Sequence, residues 1–225
     1  PILFILPFIP KNCNEETDEV ISRNHVDGSE KNIHIPNILP RLCLAAVFSF
    51  YILVGAYWAF IERAGVNASI SPDTISGTLT WAQLFSLTGT AIAVWLAKRY
   101  GQSKPLLFAL FFMVVTMLVL AFKVNTATFV FSIFSFSFFW IFIDVFQLGI
   151  LSNIDHSGRY AALVPASQGA AQAIAPSIAG MLLSLQLGFS PVMLLSAFAS
   201  AIAFFVYIYV YRKLLVLAPD IADGD

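Results

Sequence analysis

Apolar residues are not scattered along this chain. Beyond about residue 40 they gather into six long runs, separated by short polar breaks, at about 41–62, 74–97, 105–123, 127–151, 160–187 and 190–213. Each run is close to the roughly 20 residues that an α-helix needs to cross the hydrocarbon core of a bilayer. Within each run the apolar residues are continuous rather than alternating, which predicts helices and not membrane strands. Before them, residues 11–40 are polar and carry Glu15, Glu16, Asp18, Glu19, Asp27 and Glu30, a pattern that reads as an acidic linker. The opening ten residues, PILFILPFIP, are too short to span and have no basic leader, so they read as the end of a preceding transmembrane helix. Residues 214–225 read as a tail.

Composition sharpens the class. The 225 residues are 59% hydrophobic and only 11% charged, with a mean hydropathy of +0.82. A soluble domain carries about a quarter charged residues. The expected fold is therefore an all-α, polytopic membrane protein that meets the lipid bilayer directly. A net charge of −1 offers no basic field for nucleic acid. Two cysteines, Cys13 and Cys43, build neither a disulfide framework nor a zinc cluster, so no metal or cofactor is expected.

Lys and Arg are distributed unevenly between the two sides. Lys11, Arg23, Lys31, Arg41, Lys98, Arg99, Lys104, Arg159, Arg212 and Lys213 fall on one side, and only Arg63 and Lys123 on the other. Basic residues favour the cytoplasmic face. This places the linker and the C-terminus in the cytoplasm of a multi-pass protein of the cell (inner or plasma) membrane.

The six segments divide into two nearly equal triplets, 41–123 and 127–213. The first helix of each carries a similar hexad, Tyr57-Trp58-Ala59-Phe60-Ile61-Glu62 and Phe139-Trp140-Ile141-Phe142-Ile143-Asp144. The second helix of each carries a mid-run glutamine, Gln83 and Gln168. Two inverted three-helix repeats would give such a pattern. They would set Glu62 and Asp144 at roughly mirrored depths, as suits a carrier that opens alternately to each side.

Asp144 is the sharpest chemical signal, because a carboxylate inside an apolar run costs several kcal/mol unless it is paired, hydrated or protonated. Trp140, Asp144 and Gln147 share a helix face at i, i+4, i+7. The functional reading is a protonation or substrate site, and the structural alternative is a helix-packing hydrogen bond. Gln168 and Gln172, an i, i+4 pair on a segment rich in small residues, read either as lining for a substrate or as interhelical amide contacts. Gln83 is the weaker candidate of the three. Glu62, with Trp58 on its face, closes the first span as an interfacial anchor or gate. In the loops, Lys98-Arg99-Tyr100-Gly101 forms a tight basic turn. Asp155 and Arg159 are spaced to interact, as a cap or a latch.

Other classes fit less well. His25, His34 and His156 all fall outside the spans, which leaves no Ser/His or histidine–zinc site within the membrane. Only Asp144 lies well inside a span, so a two-carboxylate protease is not assembled either. The chain therefore does not read as an enzyme. Short connections leave no filter-like loop for a channel.

Six helices after an acidic linker, a basic Gly turn between the second and third, and Asp155-x-Ser157-Gly158-Arg159 leading into an Ala/Gln/Pro/Gly helix together resemble the C-terminal half of a major facilitator superfamily transporter. The resemblance covers the whole chain and makes its segments helices seven to twelve of a twelve-helix fold. The family's loop pattern is Gly-x-Leu-Ala-Asp-Arg-x-Gly-Arg. With Gly101 on its second Gly, Lys98 stands where the Asp should be and Val94 where the first Gly should be; Lys98, Arg99 and Gly101 stay candidates for an orientation signal first and a cytoplasmic latch second. The resemblance implies secondary transport of a small-molecule substrate by alternating access, proton-coupled, with Asp144 as the proton carrier. It also implies a partner, either an N-terminal six-helix half or a second copy of this chain. A half-size carrier acting as a dimer, an inactive fragment, and a channel-like or receptor-like protein are the alternatives.

Overall fold

A computed structural model describes residues 36–155 and 157–218. The first ten residues, the linker up to residue 35, His156 and residues 219–225 lie outside the described residues. Among the described residues the chain is helical without strands. The helices are α1 (Ile38–Asn67), α2 (Pro72–Tyr100), α3 (Ser103–Phe122), α4 (Thr126–Ile154), α5 (Arg159–Ser184) and α6 (Ser190–Leu217).

Several boundaries differ from the sequence reading, by up to five residues. Helix α1 begins at Ile38, so residues 38–40 belong to it and not to the linker. Pro40 does not prevent this, because the first turn of a helix makes no use of the proline's missing N–H. Helix α6 continues to Leu217, four residues into the expected tail.

Local chemistry explains the starts. The Ser71 hydroxyl accepts from the Thr74 N–H at 3.3 Å and Pro72 opens α2 with a pre-set φ. At α4 the capping is reciprocal: Asn125 Oδ1 accepts from the Thr128 N–H, and Thr128 Oγ1 accepts from the Asn125 N–H. Gly101, at φ +70°, makes the sharp turn between α2 and α3 that a side chain would resist.

Five helices, α1, α2, α3, α4 and α6, are long and apolar enough to cross a membrane. This is a helical, membrane-embedded protein. Helix α5 has the length, about 39 Å at 1.5 Å per residue. Its alanines, serines and glutamines lower its hydropathy, and it does not meet the same measure.

The helices run alternately up and down, and three contacts tie their ends. The Arg41 Nε donates to the Tyr160 hydroxyl, joining the starts of α1 and α5. Asn153 Nδ2 donates to Gln102 Oε1, joining the end of α4 to the start of α3. At the opposite end Ser190 donates to the Ala121 carbonyl, joining α6 to α3. Arg41, Lys98, Arg99, Lys104, Arg159, Arg212 and Lys213 thus share one end, called the basic end below.

Helix α1 packs on α5 and α6 and touches α4, while α3 packs on α6 and α4, and α2 packs on α4. The flanking helices α2 and α5 each bury one stripe of mostly small residues. In α2 the stripe is Ile75, Thr78, Ala82, Ser86, Gly89 and Ala93, and in α5 it is Val164, Ala171, Ala175 and Ala179. Small stripes permit close approach. A Cβ on Gly55 would stand 2.8 Å from the Ala175 Cβ and 3.0 Å from the Gln172 Cα. A Cβ on Gly89 would run into the Phe138 carbonyl oxygen.

Gly89→Val is therefore expected to separate α2 from α4. It should destabilise the protein by about 1–3 kcal/mol, the usual cost of overpacking, read as a lower thermal unfolding midpoint in detergent. Gly77→Ala, on the same helix with open space around it, should leave the midpoint unchanged or raise it slightly, because alanine is the better helix former. Equal midpoints for Gly89→Val and the parent protein would contradict this packing.

Candidate functional site

Asp144 sits on α4 ten residues from its basic end, about 15 Å along the axis. It is half-buried and receives two hydrogen bonds. The Tyr51 hydroxyl of α1 donates to Oδ1 at 2.9 Å, and Gln168 Nε2 of α5 donates to the same oxygen at 2.8 Å. Tyr51 itself is only 4% exposed. Three helices thus converge on one carboxylate. Both donors are neutral and both use Oδ1, which leaves the lone pairs of Oδ2 for another partner.

No basic side chain stands nearby in the spans. Every described Lys and Arg lies within two turns of a helix end or in a connection. Asp144 is therefore held by dipoles rather than by an opposite charge.

Aromatic rings border the site on the side away from the basic end. Trp140, one turn from Asp144, lies 6.4 Å from Trp58 and 5.9 Å from Phe136, centroid to centroid. Trp58 and Phe136 meet edge to face at 5.4 Å. Tyr57 stacks on Phe136 at 4.4 Å and is fixed from its other end by a hydroxyl bond to Ser132 at 3.1 Å. Because Ser132 gives its own proton to the Phe129 carbonyl, Tyr57 is the donor. Trp58 and Trp140 keep part of their surface open, so the cluster is a wall beside the carboxylate.

The sequence candidates divide. Asp144, Gln168, Trp140 and Trp58 are brought together. Gln147, expected beside Asp144 on one face, instead points into the bundle at 1% exposure, and neither amide atom has a hydrogen-bond partner. Gln172 is exposed, and its backbone borders Gly55. Gln83 is also exposed, on the outward face of α2, and is not the buried mid-helix amide that the sequence suggested. Only its carbonyl is engaged, by Ser86. Glu62 is exposed near the far end of α1, beside Arg63, which lies 5.9 Å from the Phe60 ring.

At the basic end, Lys98 and Arg99 are exposed, and the Arg99 guanidinium lies 5.6 Å from both the Trp95 and the Tyr100 rings. Asp155 does not pair with Arg159. Its Oδ2 accepts from the N–H groups of Tyr160 at 2.6 Å and Ala161 at 2.9 Å, and its Oδ1 from the Ser157 hydroxyl at 2.7 Å. Gly158, at φ +66°, turns the chain so that α5 begins only at Arg159. The carboxylate then meets the helix's free N–H groups, leaving Arg159 exposed. Burial opposes the charge on Asp155, but the Ser157 hydroxyl and the N–H groups of Ala161, Tyr160 and Ser157 outweigh it and hold the carboxyl below the usual carboxylate range.

Tyr51 is the residue at this site that sequence reasoning missed, because its pairing with Asp144 crosses between helices. No family model matches the chain, and no curated protein matches its sequence.

Asp155→Ala is expected to cost about 1 kcal/mol at neutral pH, as for loss of a helix cap. A carboxyl lowered by folding stabilises above its unfolded value, about 3.9, and loses that contribution as pH falls through the lower folded value. The gap in thermal midpoint between Asp155→Ala and the parent should thus be full at neutral pH and narrow only in strong acid. A gap that is already closed at mildly acidic pH would contradict the assignment.

Proposed function

We propose that this chain is a transporter half that moves a small solute by alternating access, coupled to protons through Asp144. The observation that carries the reading is the carboxylate itself. It lies within the helices, half-buried, with two neutral donors and no basic neighbour. A permanently charged group there is expensive, whereas one that alternates between protonated and charged forms is useful to a carrier. Tyr51 and Gln168 arrive from two other helices, so a shift of α1 or α5 against α4 would change how well Oδ1 is solvated. Proton affinity and helix arrangement are thereby linked.

Two further features support the family resemblance and the inverted repeat. Exchanging α1, α2 and α3 with α4, α5 and α6 turns the packing of α1 on α5 into that of α4 on α2, and that of α1 on α6 into that of α4 on α3. The α1–α4 and α3–α6 contacts map onto themselves. Trp58 and Trp140, which occupy equivalent places in the two hexads, meet at 6.4 Å, as residues near a pseudo-two-fold axis would. In this reading α5 is the sixth span. Its composition suits a helix covered by protein and not wholly by lipid, and the exposed faces of α2 and α5 would receive a second six-helix unit. The basic end is cytoplasmic, by the bias in Lys and Arg.

The test uses the full-length protein in proteoliposomes with an imposed pH gradient and a panel of labelled amines, sugars, amino acids and carboxylates. Gradient-dependent, saturable accumulation of at least one solute is expected, abolished by an uncoupler. Asp144→Asn should reduce it to the level of empty vesicles, whereas Glu62→Gln distinguishes whether the mirrored acid shares the role. Accumulation that Asp144→Asn leaves intact would remove proton coupling through this residue. A non-saturable conductance would replace the carrier by a channel.

A further inference from the structure

The Asp144 site has a one-sided chemistry. It offers an acidic oxygen, Oδ2, that neither Tyr51 nor Gln168 uses. Beside it stand two partly open indoles, Trp140 and Trp58, 6.4 Å apart. Trp140 lies one turn before Asp144 on α4 and leads on to Trp58 and Phe136. Among the described residues no cationic side chain stands in the neighbourhood. An anion brought here would meet the carboxylate with nothing to neutralise it. A neutral polyol would hydrogen-bond to Oδ2 but gain nothing from its charge. A cation is attracted by both elements at once, since indole faces bind ammonium groups most strongly and a carboxylate accepts their N–H bonds.

We propose that this site binds an organic ammonium ion with an apolar or aromatic body, its N–H group on Asp144 Oδ2 and its body against Trp140 and Trp58. The inference rests on the transport reading only in taking this site to be the substrate's. An ammonium and a proton would then compete for one carboxylate, so loading either one expels the other. Competition of this kind is what an exchanger of amines for protons needs. Of the other titratable side chains, Tyr51 on α1 bonds Asp144 directly and Tyr207 on α6 lies near enough to feel its charge, with Cys43 next to Tyr207, and α5 presents the neutral Gln168. Tyr and Cys are ordinarily uncharged at neutral pH, which leaves Asp144 as the group for which the two cations compete.

The experiment measures binding of radiolabelled phenethylamine to the full-length purified protein in detergent at neutral pH, with phenethyl alcohol and phenylacetate as competitors. Phenethylamine should bind roughly tenfold or more tighter than the alcohol, the gain expected of a desolvated carboxylate and ring face together. Phenylacetate should not compete. Lowering the pH should weaken amine binding while leaving the alcohol unaffected. Asp144→Asn should erase the preference for amine. Trp140→Leu should weaken the amine several-fold, and Trp140→Phe, which keeps a ring face and the fold, should restore most of it. If the alcohol competes as well as the amine, or Asp144→Asn keeps the preference, the proposal is overturned. Asp144-dependent amine binding without gradient-driven uptake would leave this site standing and remove the transport reading. Asp144-dependent, gradient-driven uptake of a sugar or a carboxylate would do the reverse.

Discussion

Placing a charge among membrane-spanning helices is costly, and in this chain that cost falls on Asp144. An aqueous carboxylate has water on all its lone pairs. Here two of them are served by Tyr51 and Gln168, and every described Lys and Arg lies near a helix end or in a connection. Neutral hydrogen bonds recover part of the lost hydration, but not the whole of it. The residue can be protonated, reached by water, or approached by a mobile cation. A fixed Arg or Lys would have ended that freedom, and its absence separates this site from a structural ion pair.

The surrounding bundle accounts for how three helices reach one oxygen. Gly55 lets α1 approach α5 closely, through Ala175 and the backbone of Gln172. That places Gln168, one turn earlier on α5, within reach of α4. Gly89 does the same for α2 against Phe138. Small residues therefore position the polar ones, while the large aromatics Tyr57, Phe136, Trp58 and Trp140 fill the space between α1 and α4. The price is paid on the flanks, where α2 and α5 each bury a single stripe and keep large apolar side chains such as Trp81, Leu87, Ile174 and Met181 exposed.

Much of the fold was legible because length and hydropathy are properties of consecutive residues. All six runs became helices, with ends shifted by up to five residues where caps and turns decide the boundary, as at Ile38 and Leu217. Asp144 was visible because one acid in an apolar run has few innocent explanations. Its partners were harder to find. Gln168 had a pattern, but Tyr51 did not, since a tyrosine in an aromatic-rich run signals nothing until the neighbouring helix is known. Gln147 and Gln83 lie apart from the Asp144 hydrogen bonds for a related reason: helical spacing gives a side chain's angle on its own helix, but not which angle faces the interior. Asp155 and Arg159 had the right spacing for a pair. Gly158 moved the helix start between them and turned a candidate latch into a cap. The low hydropathy of α5 had been absorbed into a simple count of spans.

The central claim is that Asp144 changes its charge while buried among these helices. The most direct measurement is infrared difference spectroscopy of the membrane-reconstituted protein between mildly acidic and alkaline pH, compared with the same difference for Asp144→Asn. A protonated-carboxyl stretch that appears on acidification across the physiological range, is sensitive to Tyr51→Phe and is missing in Asp144→Asn is expected. A spectrum in which Asp144→Asn removes no titrating carboxyl band would contradict the claim.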